Sequence, residues 1–246
     1  MKLFEVRDVV REQVGRDALD EPTLDWCIRR GLRELEKRDN FYWMDASAKF
    51  HIYAEQQEYV VQAGDGLNIP DLKDIATINI SDQTATAPTW CEVTGPEDTK
   101  VIKTSFTDTD SGPPAFWSMD GLDDEAVLKL WPPYPETAYL AEVFYWRWTE
   151  LPTDVRSDKH EVLRRWPEAL IYLATEQGIL VSKKDVEQAM FWRSLFDNPN
   201  QLINTEYKRI KIYQKERKNQ KRFRDSPINA TSTNSDKLLT RQKAWF

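Results

Sequence analysis

Apolar residues recur at steps of three and four near both ends of the chain and at steps of two in its middle. The N-terminal pattern predicts two helices, one with Leu3, Val6 and Val10 on a shared face and one that begins near Pro22. The C-terminal pattern predicts three more helices. Their apolar stripes are Val162, Leu163, Trp166, Leu170, Leu173, Ala174 and Val181; Val186, Ala189, Met190 and Phe196; and Leu202, Ile203, Tyr207, Ile210 and Tyr213.

The central region has the alternation that is typical of β-strands. It predicts a hairpin of strands at 49–54 and 58–61. Further strands are predicted near 74–80, 115–119, 126–131 and 139–148. Because helices flank this region on both sides, we expect an α+β fold in which the N- and C-terminal helices form one helical bundle. An antiparallel β-rich module is then inserted into that bundle.

This organisation gives four predicted regions. Residues 1–45 are the N-terminal helices of the bundle, 46–150 the inserted β-rich module, 151–224 the C-terminal helices of the bundle, and 225–246 an extended C-terminal arm. The arm is predicted because residues 225–235 are polar and cannot form a core of their own. Fully extended, its 22 residues would span roughly 70 Å, and it ends in Trp245 and Phe246. Such an arm could reach a neighbouring subunit or a partner.

Charge is distributed unevenly along the chain. The 246 residues carry a net charge of −7, which argues against a generally cationic nucleic-acid binder. Residues 1–150 have a net charge of −14, whereas residues 151–246 have +7. Nine of the basic residues fall between Lys208 and Arg224, with Glu216 as the only acidic residue among them.

Aromatic residues are abundant for so polar a chain. Trp, Tyr and Phe make up 12% of the residues, while the mean hydropathy is only −0.67. Aromatic side chains are enriched where protein surfaces meet. The composition therefore favours a subunit interface.

The basic stretch is the strongest candidate for a functional site. On a helix, Lys208, Lys211, Lys215 and Lys218 share one face, which could contact phosphates of DNA. The same stripe could instead dock on an acidic protein surface, because the chain without residues 208–224 has a net charge of −15. DNA contact and protein docking both stay open at this point.

No motif indicates catalysis or a bound cofactor. His51 and His160 are the only histidines and Cys27 and Cys91 the only cysteines, so neither a His-dependent nucleophile, a disulfide framework nor a thiolate zinc site is indicated. The acidic run from Asp120 to Glu125 favours a charged turn over a pair of acid–base carboxylates. We therefore expect a protein that is not an enzyme and has no catalytic, metal-binding or cofactor-binding residues.

Neither a membrane span nor a secretory signal is predicted. No apolar run reaches the length needed to cross a bilayer, and the first residues lack the apolar stretch of a signal peptide. Two cysteines in 246 residues fit a reducing compartment. We therefore expect a protein made in the cytoplasm, without a membrane partner.

The second half of the β-rich module resembles a known family. Its residues are Gly112-Pro113-Pro114-Ala115-Phe116-Trp117, then Val127-Leu128-Lys129-Leu130-Trp131-Pro132-Pro133-Tyr134-Pro135, then Tyr139 and Val143-Phe144-Tyr145-Trp146, then Leu151-Pro152. This order of a Gly-x-Pro-x-x-aromatic strand, an apolar strand ending in Pro-x-Pro and an aromatic strand resembles the head-to-tail adaptor (connector) proteins of tailed bacteriophages. The segment Trp166-Pro167-Glu168-Ala169-Leu170 is similar to the start of the family's next helix. The resemblance extends over residues 22–218, and the C-terminal arm has no counterpart in it.

The resemblance implies a structural role in the virion. Adaptor proteins form a ring, commonly a homo-dodecamer, that binds the portal protein, continues the channel for the genomic double-stranded DNA and offers a platform to tail or neck proteins. The protein would then be made in the host cytoplasm and end in the neck of the particle below the portal. The residues predicted for portal or subunit contact are Tyr207, Lys208, Lys211, Lys215, Lys218, Trp245 and Phe246. The alternative is a DNA-binding accessory protein that acts through the basic helix 208–224.

Overall fold

The chain folds into two units, one helical and one built of β-strands. A computed structural model describes residues 1–61, 67–82, 90–95, 106–107, 110–121, 126–133, 135–197 and 205–224, with side chains up to residue 217. The helical unit comprises Met1–Leu35 and Pro152–Phe246, and the β unit comprises Glu36–Leu151. The predicted mixed α+β class with antiparallel sheets is confirmed.

Six α-helices occur in the described part of the chain. They are α1 (Leu3–Val14), α2 (Glu21–Glu36), α3 (Glu161–Arg165), α4 (Pro167–Ser182), α5 (Val186–Phe196) and α6 (Glu206–Arg224). The first two begin and end close to the predicted positions. Asp20 precedes α2 and its carboxylate accepts a hydrogen bond from the backbone N–H of Thr23 at 3.0 Å, which supplies an acceptor at the helix N-terminus.

Helix α4 lies at the centre of the helical unit. Its buried residues fall on more than one side of the helix and include Leu170, Leu173, Ala174, Gly178 and Ile179. Helix α2 approaches it closely, because a Cβ on Gly31 would lie 2.8 Å from the backbone nitrogen of Ala174. Helix α1 approaches it at Gly178, where a Cβ would lie 2.7 Å from a methyl group of Val14.

The single long helix predicted over 162–181 is two helices. Helix α3 ends at Arg165 and α4 begins at Pro167, with Trp166 between them at φ −131° and ψ 41°. Proline lacks the N–H that would continue the helical ladder, and its ring disfavours helical geometry in the residue before it. Pro167 therefore ends one helix and occupies the first turn of the next.

Seven strands form two antiparallel sheets in the described part of the β unit. They are β1 (Asp45–Ile52), β2 (Glu58–Val60), β3 (Leu72–Asp82), β4 (Trp90–Val93), β5 (Phe116–Asp120), β6 (Val127–Trp131) and β7 (Tyr139–Arg147). One sheet has the order β1-β7-β3-β4 and the other the order β2-β6-β5. The segment that resembles the adaptor family thus forms the β5–β6 hairpin and the strand β7, which lies between β1 and β3.

The inward faces of both sheets form one core. Alternate residues of β7 are buried in it, including Ala141, Val143 and Tyr145, and they meet residues of the other sheet such as Leu128 and Trp117. Successive side chains of a strand point to opposite faces of the sheet, so a sheet with one face in the core has buried residues at every second position.

The predicted hairpin of residues 49–54 and 58–61 is wrong. Strand β1 pairs with β7 along its whole length, and β2 pairs with β6 in the other sheet. The chain crosses from one sheet to the other between Ile52 and Glu58, so Phe50 and Tyr59 face each other across the core with ring centroids 5.3 Å apart. The segment that joins the two strands, residues 53–57, is thus a crossover between sheets and not a hairpin turn.

A buried polar cluster lies where the chain enters and leaves the β unit. The Lys73 ammonium donates hydrogen bonds to the backbone carbonyls of Glu36 and Asp39, the second at 2.6 Å, and lies 5.2 Å from the ring centre of Trp148. Burial lowers the pKa of Lys73. Lys73 thus supplies a donor to two backbone carbonyls of the segment 36–39, at the start of the β unit.

Candidate interaction surfaces of the helical unit

Helix α6 is fixed to the helical unit by one apolar stripe. Ile210 is fully buried, and Tyr207 packs against Phe196 of α5 with ring centroids 5.7 Å apart. Tyr213 meets Trp166 edge-on at 5.7 Å, with the Arg165 guanidinium 5.1 Å above its ring. These contacts determine which side of α6 faces outward.

The predicted lysines lie on that outward side. Lys208, Lys211 and Lys215 are all exposed, and at 100° per residue they fall within a 60° arc whose centre lies about 130° around the helix from Ile210. By its position in the sequence Lys218 continues the same stripe along α6. Its side chain lies outside the described part of the structure. Tyr207 is half-buried and forms part of the anchor, at the edge of the lysine stripe, one helical turn before Lys211. Trp245 and Phe246 lie outside the described residues.

A second surface, which the hydrophobic pattern did not reveal, is the outward side of α5. Met190 is 66% exposed and Phe191 57%, and Val186 and Leu195 are exposed as well. The opposite side of the same helix buries Ala189 and Phe196. Helix α5 is thus apolar on both sides and is covered on only one by the described part of its own chain.

The predicted stripe of Val186, Ala189, Met190 and Phe196 therefore mixes two faces. Ala189 and Phe196 are buried, while Val186 and Met190 face solvent. The spacing of apolar residues identifies the inward side of a helix only when the residues on the other side are polar. One feature of the sequence would have revealed this surface: the polar residues of α5 are not confined to one side of the helix.

Helix α2 presents an isolated aromatic residue on its outward side. Trp26 is 50% exposed, while Leu24, Ile28, Leu32 and Leu35 form the buried stripe of the same helix. Trp26 lies beside a shallow depression of about 500 Å³ lined also by Glu21, Pro22, Asp25 and Arg29. Asp25 forms an ion pair with Arg7, and Glu21 with Arg11, so α1 and α2 are joined next to this tryptophan.

The contact of α4 and α5 is held by charged and aromatic groups. Glu176 of α4 accepts a hydrogen bond from Arg193 of α5 at 2.9 Å, and Tyr172 of α4 lies 6.1 Å from Trp192. Burial first, and then the nearby carboxylates of Glu168 and Glu206, raise the pKa of Tyr172. This tyrosine stays neutral at ordinary pH, and its side of α4 faces α5.

The two units differ in sign of charge. Residues 36–151 contain 21 acidic and 8 basic side chains, a net charge of −13. The residues of the helical unit contain 20 acidic and 26 basic side chains, a net charge of +6. The lysine stripe of α6 thus belongs to the unit whose charge is opposite to that of the β unit.

Asp120 and His160, which the sequence analysis singled out, have structural partners, and so has the acidic residue Asp110. Asp120 forms an ion pair with Lys129 at 3.0 Å, and 122–125 lie outside the described residues. Hydrogen bonds from Thr107 lower the pKa of Asp110. His160 accepts a hydrogen bond from the Val162 N–H at the start of α3. Within the described part of the chain, no three His, Cys, Asp or Glu residues are grouped so that they could hold a metal ion.

Comparison with known proteins adds no relative. No protein-family model matches the chain, and no curated protein sequence matches it. Among the helices that the structure describes, none is both long and apolar enough to span a membrane.

Proposed function

We propose that this chain is a structural virion protein, a head-to-tail adaptor of a tailed bacteriophage that forms a ring beneath the portal. In this role it continues the DNA channel, joins the portal vertex to the tail and catalyses no reaction. The proposal combines the sequence resemblance over residues 112–148 with one structural observation, the outward apolar side of α5.

The α5 surface supports assembly because its exposure is unfavourable in an isolated chain. Val186, Met190, Phe191 and Leu195 place four exposed apolar side chains over the outward half of a single helix, with Glu187 and Ser194 between them. A group of exposed apolar side chains on one element is typical of an interaction site in soluble proteins. A ring of identical copies would cover it in every subunit.

The opposite charges of the two units fit the same role. A strongly acidic β unit, with a net charge of −13, would repel DNA phosphates if it lined a channel, and a genome could then pass without adhering. The basic stripe of Lys208, Lys211 and Lys215 belongs to the helical unit, which would not line the channel in this arrangement. We propose it, together with Lys218 and with Tyr207 as the anchor that orients α6, as a contact to portal or to a neighbouring subunit.

The finer architecture is part of the proposal. The N- and C-terminal helices would form one bundle, and residues 225–246 would act as an arm that straps the subunit to its partner through Trp245 and Phe246. Deleting 225–246 should weaken portal attachment while leaving the thermal unfolding of the remaining chain unchanged. Equal portal binding with and without these residues would refute the arm's role.

Electron microscopy and native mass measurement of the purified chain mixed with its cognate portal protein test the main proposal. We expect a ring of identical copies seated on the portal ring. A chain that stays monomeric and does not associate with the portal would overturn the proposal.

A second function is favoured by the lysine stripe alone. If Lys208, Lys211 and Lys215 bind duplex DNA, affinity should fall steeply with salt, and Lys211→Glu with Lys215→Glu should abolish it. Lys159→Glu with Lys183→Glu is the matched control, since it makes the same charge change at exposed lysines outside α6. The absence of duplex binding at low salt would dismiss this alternative.

A further inference from the structure

Strand β1 is the longest sheet edge that the described part of the chain leaves open. All 8 of its residues pair with β7, and no described strand pairs with its other side. In an outer strand, every second residue directs its N–H and C=O groups away from the sheet. The outer side of β1 therefore offers about four donors and four acceptors over roughly 27 Å.

The other outer strands are covered at least in part. On β2, the carbonyl of Val60 accepts a hydrogen bond from the N–H of Leu67 at 3.0 Å. Strand β4 continues into Thr94, whose N–H donates to the carbonyl of Ala115 and whose carbonyl accepts from the N–H of Trp117, beside and within β5. Among the described residues, no backbone bridge of this kind reaches the outer side of β1.

Strand β1 also lacks the features that usually protect a sheet edge from strand addition. Its register with β7 is continuous, without a bulge, and it contains neither proline nor glycine. Its single lysine, Lys49, lies 4.0 Å from Glu142 of β7 and 5.8 Å from the ring centre of Trp90 on β4. The ammonium group is thus directed over the sheet and not along its edge.

The core next to this edge is incompletely covered. Of the core-facing residues of β1, Phe50 and Ile52 are buried, whereas the small residues Ala46 and Ala48 are only half-buried. An added strand with uncharged residues at every second position would cover this part of the core.

The C-terminal arm contains a segment with the length and pattern of such a strand. Residues 238–246 divide into an uncharged set and a set with two cations, which are Leu238, Thr240, Gln242, Ala244 and Phe246, and Leu239, Arg241, Lys243 and Trp245. The side chains of residues 237–246 have a net charge of +3, whereas the β unit has −13. The sign of charge therefore favours the β unit as the surface that this segment binds.

The other long stretches outside the described residues are tied to the opposite edge of the sheet. Residues 83–89 join β3 to β4. Residues 96–105 follow Gly95 and lead to Phe106, which packs against Phe116 of β5 with ring centroids 5.9 Å apart. The arm, residues 225–246, is longer than either and follows a helix of the other unit.

We propose that residues 238–246 of one copy add as an outer strand to β1 of the next copy. Resting on the proposed function, this inference names the surface of the neighbouring subunit that the arm binds. The contact is heterologous: each copy donates a strand to one neighbour and receives one from the other, as a closed ring requires. Backbone hydrogen bonds supply the affinity, and alternate side chains, with Trp245 and Phe246 at the end, supply the specificity.

Site-directed cross-linking of the full chain, assembled on its portal, tests this contact. Ser47→Cys and Gln242→Cys place thiols near the middle of each strand, so they lie close whether the strands run parallel or antiparallel. Cys91→Ser is the background, because Cys91 is exposed and Cys27 is buried. With a short bifunctional maleimide, mixed single variants should give dimers and the double variant a ladder of multimers, while each single variant alone should give neither. A double variant that is linked only within one chain would overturn the inference.

Proline substitution distinguishes strand pairing from attachment through side chains alone. One of any two adjacent residues in a strand directs its N–H towards the neighbouring strand, so Thr240→Pro with Arg241→Pro removes a donor to β1 in either register. The yield of multimers should fall about tenfold or more. Thr240→Ala with Arg241→Ala is the matched control, since it removes the same side chains and keeps both N–H groups, and it should retain most of the yield. Equal yields from the proline and alanine variants would overturn the inference.

The outcomes separate the contact from the function. If microscopy shows rings on the portal but the double variant gives no ladder, strand addition to β1 is refuted and the adaptor role stands. If neither rings nor portal binding are observed, both proposals are refuted.

Discussion

The buried carboxylate of Glu36 accepts two hydrogen bonds from Thr149, one from its backbone N–H at 3.2 Å and one from its hydroxyl group. Glu36 is the first residue of the β unit, and Thr149 lies two residues before its last residue. Because the two residues are 113 positions apart in the chain, this pair joins the segment that enters the β unit to the segment that leaves it.

Removal of the Thr149 hydroxyl should therefore weaken the β unit. Thr149→Val keeps the shape of the side chain but deletes a buried hydrogen bond to a carboxylate, so we expect a loss of about 1.5–3 kcal/mol in the free energy of unfolding. Thr149→Ser, which retains the hydroxyl, is the matched control. Urea denaturation measures both, and equal stability of the two variants would show that the bond contributes nothing.

Gly31→Ala should destabilise the helical unit although alanine is the better helix former. In an exposed helix this change gains about 1 kcal/mol. Here the added Cβ would lie 2.8 Å from the backbone nitrogen of Ala174, and a backbone atom cannot move aside as a side chain can. We expect a net loss of about 1–3 kcal/mol in denaturation experiments. Arg30→Ala on the same helix should change stability by less than about 0.5 kcal/mol, and a more stable Gly31→Ala variant would contradict the close approach.

Met190→Asp should separate assembly from folding. Met190 is 66% exposed, so the change should leave the melting temperature of the isolated chain nearly unaltered, while a buried carboxylate at a subunit contact should prevent ring formation. Native mass measurement gives the assembly state and a thermal melt gives the stability. Thr153→Asp adds the same charge at another exposed position of the helical unit and should assemble normally. Rings formed equally well by both variants would exclude the α5 surface from the interface.

Alkaline pH should destabilise the β unit through Tyr59. Its hydroxyl donates to the Gln56 carbonyl at 3.0 Å and accepts from the Tyr53 N–H at 3.1 Å, and burial raises its pKa to about 12. Between pH 10 and 12 the unfolded chain ionises this phenol and the folded chain does not. The free energy of unfolding should therefore fall over this range, by about 2–3 kcal/mol from Tyr59 alone.

The matched variant for this pH effect is Tyr59→Phe. Burial also raises the pKa values of Tyr145, Tyr172 and Cys27, so the pH dependence must be compared between the native chain and the variant. The variant should be less stable near pH 7, because both hydrogen bonds are lost, and should show a shallower decline above pH 10. Parallel declines for the two proteins would mean that Tyr59 ionises as readily folded as unfolded.

The spacing of hydrophobic residues predicted most elements. In a strand or helix with one buried face, the apolar residues recur with the period of that element. Strands β3, β5, β6 and β7 and helices α1 and α2 follow the pattern. The partner of β1 was missed since pairing is not local: Asp45 lies opposite Trp146, about a hundred residues away. Strand β4 was also missed, and only one of its four residues, Val93, is buried.

The candidate surfaces were predictable to different degrees. The lysines of α6 recur at steps of three and four, so their shared side follows from the helix period alone. The outward sides of α5 and α2 could not be identified in this way. Apolar residues lie on all sides of α5, and Trp26 is a single exposed aromatic residue on the outward side of α2. Their significance depends on which side of each helix meets α4, and only the tertiary structure supplies that.

The position of α4 has a consequence for synthesis on the ribosome. The buried stripes of α1 and α2 have their packing surface on a helix that ends at Ser182, so roughly 150 residues must be translated before that surface exists. At about 5–20 residues per second this delay is about 8–30 s. The β unit, whose strands pair only with one another, can close during this interval. The nascent chain would therefore fold its central β unit before its N-terminal helices α1 and α2. These two helices would then be the segment most in need of a chaperone.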